Sequence, residues 1–495
     1  AVELHNDRAS SSHIWFYLTD LHLSDEETAA DQNSLSMSIG ADGSQMNFTW
    51  YSDDAQAGTL LLAKQSELDG GAMPEDAESF QAEIRQANRA GYYTNQLTVT
   101  GLEPDTVYAY QLVNNGTESE IHTFTTGGDN DSFSFALAGD PQIGASGNAG
   151  NDANGWEKTL EIVADDPSFE NVDFLLSAGD QVNTASDESQ YTGYLEHGEL
   201  AELPVATVIG NHDSSSDAYG EHFNVPNEDA TLGQTTAGGD YYFVYDNTLF
   251  MVLNSNNMST AEHKSFMQKA IEETADQDIQ WKVVTFHHSI YSMASHVNDS
   301  DIIERRNQLP QVFKELDIDV VLMGHDHVYT RTYMMDGPNP ILESDKYTDT
   351  DGNKIPEAVT DPDGILYVTV NSASGSKFYN IQSNTDYQWA AVINQEKPHL
   401  FRSVFQKRSH AVQQNGKTVV YRNDHGDFRL CGNCGRMCVI HSGGMFLLRN
   451  RQAYRQLAFL LPHQGLPGFV PAAGNEMKQR ILPGIADIII IPQIE

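Results

Sequence analysis

The sequence predicts an all-β sandwich followed by an α/β domain, and three observations support this fold class. Short segments of residues 30–127 alternate apolar and polar side chains with the two-residue period of half-buried strands. From Asp131 onward, apolar runs of strand length alternate with segments of helical periodicity, as in an α/β layer. The main apolar runs are followed by glycine and polar side chains or by histidine. The length of 495 residues is enough for two or three domains.

The β-rich part begins with a predicted hairpin. Residues 35–39 and 46–50 alternate around a turn at 41–44, which predicts two paired strands with one buried face. Residues 102–110, LEPDTVYAY, place a turn before two tyrosines, and this stretch resembles the corner of fibronectin type III domains. We therefore expect an N-terminal extension over 1–29 and a fibronectin III-like sandwich over 30–127.

The α/β part is predicted to extend from residue 131 to residue 405, after a glycine-rich linker. Its strands are predicted at 133–138, 174–178, 205–209, 281–286 and 320–323. Its helices are predicted near 156–164, 261–274 and 302–316. A long polar loop over 333–363 and a strand over 364–371 complete the pattern.

The last 90 residues differ in composition. Residues 406–495 contain 11 Lys and Arg against 5 Asp and Glu, and they hold all three cysteines of the chain. The rest of the chain is strongly acidic. This basic tail, of uncertain structure, is either a separately acquired segment or the result of a late change of reading frame.

The whole chain has 28 Lys and Arg against 70 Asp and Glu, a net charge of −42. This balance argues against a nucleic-acid-binding surface, because phosphate backbones need a basic footprint. Phosphate substrates stay compatible with it, because bound metal ions reverse the local field. No apolar run reaches the ~18 residues of a transmembrane segment. The start at Ala1 indicates a removed signal peptide or a chosen chain boundary; we expect the former, and hence a secreted or cell-surface protein.

Five short motifs follow the predicted strands in chain order. They are Gly139-Asp140-Pro141-Gln142, Gly179-Asp180-Gln181-Val182-Asn183, Gly210-Asn211-His212-Asp213, Phe286-His287-His288-Ser289 and Gly324-His325-Asp326-His327. Each alone is weak evidence, but the ordered set places oxygen and imidazole donors at the carboxyl ends of neighbouring strands. Such a mixed donor set suits iron, manganese or zinc. The glycines allow sharp turns that bring the ligands close together.

The ordered motifs resemble the calcineurin-like metallophosphoesterase family, and with the preceding sandwich they are similar to purple acid phosphatases over about residues 30–405. The resemblance implies a domain of two sheets flanked by helices and two divalent or trivalent metal ions, with Fe, Mn or Zn as candidates. It also implies the metal ligands, with Asp180 bridging both ions, Asp140 and His327 on the first ion, and Asn211, His287 and His325 on the second.

The same resemblance implies the residues that act on the substrate. His212 would lie over the substrate with Asp213 orienting its ring, and Asn211 would contact the substrate as well as the metal. His296 lies where purple acid phosphatases place a substrate-side histidine, although an exposed loop histidine is nearly as good an interpretation. Tyr329 and Arg331 follow the last motif and are expected to line the pocket, unless Arg331 pairs with a surface carboxylate.

Two positions depart from the family patterns, and one assignment stays open. Asn183 stands where purple acid phosphatases carry a tyrosine, so neither a purple colour nor ferric iron is expected. Gln142 replaces the histidine of the Asp-x-His motif in other metallophosphoesterases, and would either coordinate through its carbonyl oxygen or bind a metal water; the second is favoured. His287 and His288 compete for one ligand position, and we favour His287, with His288 contacting substrate.

The resemblance implies an acid phosphatase-like hydrolase that acts on small phosphomonoesters. A metal-bound hydroxide would attack phosphorus directly, without a covalent intermediate. Alternatives on the same metal core are a phosphodiesterase and a nucleotidase. The alternative from another class is a cell-surface binding protein that keeps the fold without the activity.

Overall fold

The computed structural model describes residues 30–128, 132–166, 169, 172–342, 358–360, 364–382 and 387–394, together with short strands as far as residue 492. The predicted extension at 1–29 and most of the predicted tail at 406–495 lie outside these described residues. No helix in the described ranges is long and apolar enough to cross a bilayer.

The N-terminal part is a two-sheet β structure, as the alternating pattern predicts. Its strands are β1 (Gln32–Ile39), β2 (Gln45–Ser52), β3 (Thr59–Lys64), β4 (Glu78–Gln81), β5 (Glu83–Gln86), β6 (Tyr93–Thr100), β7 (Val107–Asn114), β8 (Thr117–Glu118) and β9 (His122–Thr125). One sheet has the order β1-β2-β6-β5, and the other has the order β4-β3-β7-β8 with β9 also paired to β7. The predicted hairpin is confirmed, because β1 and β2 pair antiparallel.

Apolar side chains from the two sheets meet in one core. Phe48 and Trp50 leave β2 on the same face, and both are fully buried against Leu60 and Tyr110 of the other sheet. The corner before β7 is closed by Tyr108, whose hydroxyl accepts a hydrogen bond from the backbone amide of Glu103 at 2.9 Å.

The described residues of the following α/β part form two large sheets, one of them continuous with a sheet of the N-terminal part, and five α-helices. Its strands are β10 (Ser132–Ala138), β11 (Phe174–Ser177), β12 (Val205–Thr207), β13 (Tyr241–Tyr245), β14 (Thr248–Leu253), β15 (Trp281–Phe286), β16 (Val320–Met323), β17 (Tyr329–Thr332), β18 (Met335–Asp336), β19 (Asn339–Pro340), β20 (Ala358–Thr360), β21 (Leu366–Thr369), β22 (Ala390–Asn394) and β23 (His399–Gln406). Its helices are α1 (Ala149–Asp165), α2 (Glu188–Leu195), α3 (Ala218–His222), α4 (Thr260–Glu273) and α5 (Ser300–Glu315). Five short strands follow, β24 (Val419–Arg422), β25 (Phe428–Cys431), β26 (Met437–His441), β27 (Gly444–Leu448) and β28 (Ile490–Pro492).

The two α/β sheets pack face to face with helices on their outer sides, so the predicted architecture is confirmed. In the first sheet β10, β11 and β12 run parallel, and in the second β14, β15, β16 and β21 run parallel. Phe135 and Phe174 of the first sheet contact Phe250 of the second, in a fully buried core. Helices α1 and α2 cover the first sheet, and helices α4 and α5 cover the second.

One sheet continues across the boundary between the two parts. Strand β1 pairs parallel to β12, with Ser38 opposite Val205, so that the first α/β sheet and one sheet of the sandwich form a single nine-stranded sheet. The sequence does not predict this pairing. The six predicted strands and three predicted helices are present, and the predicted loop over 333–363 contains the short strands β18, β19 and β20. The β13–β14 hairpin and helices α2 and α3 were not predicted.

Candidate metal centre

The five motifs converge at one edge of the α/β layers. Each follows a strand, in the order β10, β11, β12, β15 and β16, and all five strands run parallel to a neighbour that also carries a motif. Because the carboxyl ends of parallel strands meet at one edge, their side chains can share a site.

Two buried carboxylates and one imidazole form the middle of the cluster. Nε2 of His287 lies 3.2 Å from Oδ2 of Asp180 and 3.8 Å from Oδ1 of Asp140. All three residues are at most 2% exposed. Their ligand atoms lie within 4.8 Å of one another, which is close enough to hold a metal ion.

The other predicted ligands surround this triad. Oδ1 of Asn211 lies 3.1 Å from Nε2 of His287 and 2.9 Å from Nδ1 of His325. On the other side, Nε2 of His327 lies 3.4 Å from Oδ1 of Asp140. The six residues predicted as metal ligands are therefore contiguous, with Asp140 and His327 at one end and Asn211 and His325 at the other.

Backbone carbonyl groups orient two of the imidazoles. Nδ1–H of His287 donates to the carbonyl oxygen of Ala178 at 2.9 Å, and Nδ1–H of His327 donates to that of Lys377 at 2.7 Å. Both rings therefore direct Nε2 at a carboxylate, which is the usual arrangement of metal-binding histidines. Of the two histidines that compete for one ligand position, His287 and not His288 lies within 4.8 Å of both carboxylates.

Opposite charges stabilise the buried triad of Asp140, Asp180 and His287. Burial alone would raise the pKa of Asp180, but the charge and hydrogen bond of His287 outweigh this effect and hold that pKa below its usual range. Burial likewise opposes the charge on His287, yet Asp180 and Asp140 raise the pKa of His287 to about 9. A buried site with this negative potential favours a cation.

Several residues of the centre have a backbone conformation that side chains rarely adopt. Positive φ values occur at Asp140 (32°), Gln142 (39°), Asp180 (52°), His325 (74°) and His327 (45°). Each costs about 1–3 kcal/mol when the surrounding structure imposes it. Concentration of this strain at the ligands is typical of a functional site.

The glycines before the ligands are required by close approach. A β-carbon at Gly210 would lie 2.1 Å from the amide nitrogen and from Oδ1 of Asp180. A β-carbon at Gly324 would lie 2.5 Å from Oδ2 of Asp140. Only glycine at these positions allows neighbouring motifs to come together, as the sequence predicts.

His212 is at the edge of the cluster, but Asp213 does not orient its ring. Nδ1–H of His212 donates to the carbonyl oxygen of Asn183 at 2.7 Å. Asp213 is fully buried and accepts hydrogen bonds from the backbone amide of Gly210 at 2.8 Å and that of Val182 at 3.3 Å. The predicted role of Asp213 is therefore wrong: its carboxylate fixes two ligand loops, and burial beside Asp180 raises the pKa of Asp213 to about 7.

His296 forms one wall of the centre with a residue that was not predicted. Its ring centroid lies 4.4 Å from that of His325, and its Nε2 lies 3.1 Å from the hydroxyl of Tyr379. The Tyr379 ring in turn lies 5.0 Å from that of His327. Asp326 holds this wall in place, because its carboxylate accepts the backbone amide of His296 at 2.9 Å.

The remaining predicted substrate residues divide into two groups. His288 is next to the cluster, with its ring centroid 4.7 Å from that of His325 and its Nδ1 2.9 Å from the hydroxyl of Ser255. Tyr329 is fully buried in the core between the two sheets, so the prediction that it lines the pocket is wrong. Arg331 is two residues further along β17 and is also buried, so it leaves the strand on the same face as Tyr329.

The segment after β21 completes the site and was not predicted as part of it. Hydroxyl groups of Ser372 and Ser374 donate to the carbonyl oxygens of Asp140 and Pro141. The same segment supplies the carbonyl of Lys377 and the ring of Tyr379. The strand-end rule that identified the five motifs also applies to residues 371–374, NSAS, and would have found this segment.

The donor set fits a metal centre. Carboxylates, an amide oxygen and imidazoles are the ligands that iron, manganese and zinc share, and Asp140, Asp180 and His287 bring three of them within 4.8 Å of one another. Asp140 and His327 would hold one ion, and Asn211, His287 and His325 the other.

Comparison with known families agrees with this geometry. Residues 133–329 match the Calcineurin-like phosphoesterase family, and residues 33–126 match the N-terminal domain of purple acid phosphatases. The fold and the site thus define a metallophosphoesterase. The chain combines a calcineurin-like phosphoesterase domain with a purple acid phosphatase N-terminal domain, which makes it a purple acid phosphatase-like member of that family.

Individual relatives are distant. An uncharacterized protein of Mycobacterium tuberculosis is 24% identical over 320 residues, which cover 57% of this chain and 58% of that protein. The probable purple acid phosphatase 20 of Arabidopsis thaliana is 22% identical over 316 residues, 62% of this chain and 70% of that protein. The chain therefore matches little more than half the length of the mycobacterial relative.

Solved structures share the fold. A purple acid phosphatase from yellow lupin seeds superposes with a TM-score of 0.62 at 15% identity, covering 81% of this chain and 74% of that chain. The structure of PhoD gives a TM-score of 0.51 at 12% identity, covering 86% and 95%.

Proposed function

We propose that this protein hydrolyses phosphomonoesters at a two-metal centre. The observation that supports the proposal is the convergence of Asp140, Asp180, Asn211, His287, His325 and His327, with Asp180 beside His287 and close to Asp140. When bound, the two ions supply an activated water and neutralise the phosphoryl oxygens.

The protein's own residues position the substrate and move a proton. His212, whose Nδ1–H is engaged by the carbonyl of Asn183, directs its Nε2 away from the protein backbone. His296 borders the other side of the centre, near the exposed mouth. Either imidazole can donate a proton to the leaving alkoxide.

The direct test is hydrolysis of p-nitrophenyl phosphate and its bis-ester after reconstitution with Fe, Mn or Zn, from pH 4 to 9. We expect fast monoester turnover and little diester turnover. A preference for the diester would reassign the protein as a phosphodiesterase, and a folded, metal-loaded protein that hydrolyses neither would leave the binding-protein alternative.

The bridging role of Asp180 gives a sharper prediction. Loss of a partner that only orients a metal ligand costs about 10–100-fold, so Asp180→Ala should lower activity by about 1,000-fold or more and should lower the content of both metals. Metal content is measured by mass spectrometry on the purified protein.

His263→Ala is the matched control. His263 is also a buried histidine paired with an aspartate, since its Nδ1 lies 2.7 Å from Oδ2 of Asp240, but this pair is separate from the strand-end motifs. This variant should lose stability and keep both metals. An Asp180→Ala protein with full metal content and activity would contradict the proposed centre.

A further inference from the structure

Gln142 is a buried residue of the first motif with an unexplained polar atom. The residue is fully buried, and its Oε1 has no hydrogen-bond partner among the described residues. Its Nε2 lies 3.3 Å from Oδ1 of Asn183, to which it donates. With Nε2 engaged in this way, Oε1 is the free end of the amide.

The backbone of Gln142 lies beside two of the predicted metal ligands. Its amide N–H donates to the carbonyl oxygen of Asp180 at 2.8 Å, and Asp140 is two residues earlier in the chain. The backbone of Gln142 has a φ of 39°, a conformation that costs free energy for a residue other than glycine. A buried acceptor without a partner costs a further 1–3 kcal/mol or so. A cation beside Asp140 and Asp180 would remove the second cost.

We propose that Oε1 of Gln142 is a ligand of the first metal, and that this makes the two metal sites chemically different. The inference rests on the proposed two-metal function. The first site then has three oxygen donors, from Asp140, Asp180 and Gln142, and one imidazole, His327. The second site has two imidazoles, His287 and His325, with the oxygens of Asn211 and Asp180.

The difference in donors predicts a difference in metal. Carboxylate and carbonyl oxygens suit Mn²⁺, and imidazoles suit Zn²⁺. At a given site of nitrogen and oxygen donors Zn²⁺ binds more tightly than Mn²⁺, so the donors change the margin: the first site should favour Zn²⁺ over Mn²⁺ by a smaller factor than the second site does.

The test uses the full chain stripped of metal and titrated with Mn²⁺ and Zn²⁺ together. Metal content is counted by mass spectrometry, and Mn²⁺ is followed by electron paramagnetic resonance. In the wild type, Mn²⁺ should replace Zn²⁺ at the first site at a lower ratio of Mn²⁺ to Zn²⁺ than at the second site. Gln142→Leu, of similar volume, should lower the Mn²⁺ affinity by about 10–100-fold and leave the second site unchanged. Gln142→Glu restores an oxygen donor and should recover Mn²⁺ binding.

Gln181→Leu is the matched control. Gln181 is also fully buried beside Asp180 with an unpartnered Oε1, but its Nε2 donates to Ser177 Oγ at 3.3 Å and to the Val208 carbonyl oxygen at 3.2 Å, toward the strands. This variant should keep Mn²⁺ binding.

Two outcomes would overturn the inference. One is a Gln142→Leu protein with unchanged Mn²⁺ affinity, which would make the amide a structural group only. The other is a wild type in which Mn²⁺ replaces Zn²⁺ at both sites at the same ratio of the two ions. Metal counts are made without substrate. A protein that binds the metals as expected but hydrolyses no phosphate ester would therefore contradict the proposed function and leave this inference intact.

Discussion

At the scale of single residues, the sequence predicted which side chains lie together at the centre and missed the groups that orient them. All six predicted ligands lie in one cluster. They could be predicted because each lies at a strand end, which can be recognised from the local pattern and motif. The ring of His212 is held by the carbonyl of Asn183 and not by Asp213. A backbone carbonyl is present at every residue, so no side-chain pattern in the sequence marks the one that orients an imidazole.

Gly210 provides a prediction about the strained turns. A methyl group there would lie 2.1 Å from Oδ1 of Asp180, so Gly210→Ala should displace the bridging carboxylate. We expect about 100-fold weaker metal binding and a loss of about 1–3 kcal/mol in unfolding free energy. Metal titration and urea unfolding measure the two effects.

Gly220→Ala is the control for this change. The nearest atom to a β-carbon at Gly220 is the carbonyl oxygen of Ala237 at 3.5 Å, and Gly220 lies within helix α3. Its replacement should leave metal binding unchanged and raise stability by about 0.5–1 kcal/mol. Equal metal binding by both variants would show that the close approach at Gly210 is not needed.

At the scale of elements, the short helix α3 connects the sandwich to the metal centre. Glu221 accepts the hydroxyl of Tyr51 at 2.7 Å and the backbone amide of Asn88 at 3.0 Å. The carbonyl oxygen of Gly220 accepts a hydrogen bond from the side chain of Gln96 at 2.9 Å. Helix α3 follows the loop of Asn211 and His212, so the sandwich fixes one end of a ligand loop.

Removal of the Glu221 carboxylate should therefore weaken the contact between the two parts. Glu221→Ala leaves two buried or half-buried donors without a partner, and each hydrogen bond to a charged group contributes about 1.5–3 kcal/mol. We expect a loss of about 3 kcal/mol and a lower midpoint of unfolding in urea. Glu83→Ala, at an exposed position of β5, should stay within about 0.5 kcal/mol of the wild type. An unchanged midpoint in Glu221→Ala would contradict this role.

The elements that the sequence missed are short or have mixed patterns. Helix α3 has five residues, too few for a helical period to be visible. Strands β13 and β14 are a nearly continuous aromatic and aliphatic run, whose only break is Asp246 and Asn247. That break is a two-residue turn signal, so the hairpin could have been predicted.

At the scale of the whole molecule, a buried pair outside the centre makes stability depend on pH. Burial alone would lower the pKa of His263, but the hydrogen bond and charge of Asp240 raise it above the usual value. The pair therefore stabilises the fold fully below pH ~6.5, the value for an unfolded histidine, and this contribution is lost as the pH rises through the folded pKa.

Comparison of the wild type with His263→Gln tests this dependence. The melting temperature of the wild type should exceed that of the variant most at pH 5.5, and the difference should shrink toward pH 9. Breaking a buried pair costs about 3–5 kcal/mol, so the difference at low pH should be several degrees. A difference that is the same at every pH would mean that His263 is neutral in the folded protein.

The order of the two parts could be predicted from their periodicities, but the sheet that joins them could not. Ser38 and Val205 pair across a large sequence separation, and only one residue of each strand is in register. Local pattern carries no information about such a distant partner. The net charge of −42 likewise carries no information about how the sheets are joined. It bears only on partners, and it argues against a basic nucleic-acid-binding surface.

The nine-stranded sheet also determines where the chain can be divided. A chain cut at the linker after β9 would turn β1 and β12 into open edges, each with unpaired amide and carbonyl groups that invite pairing with other molecules. Neither half is thus a self-contained module that could be exchanged by recombination without a compensating edge. The glycine-rich linker looks like a natural domain boundary in the sequence. Cutting the chain there would nevertheless expose strand edges and promote aggregation.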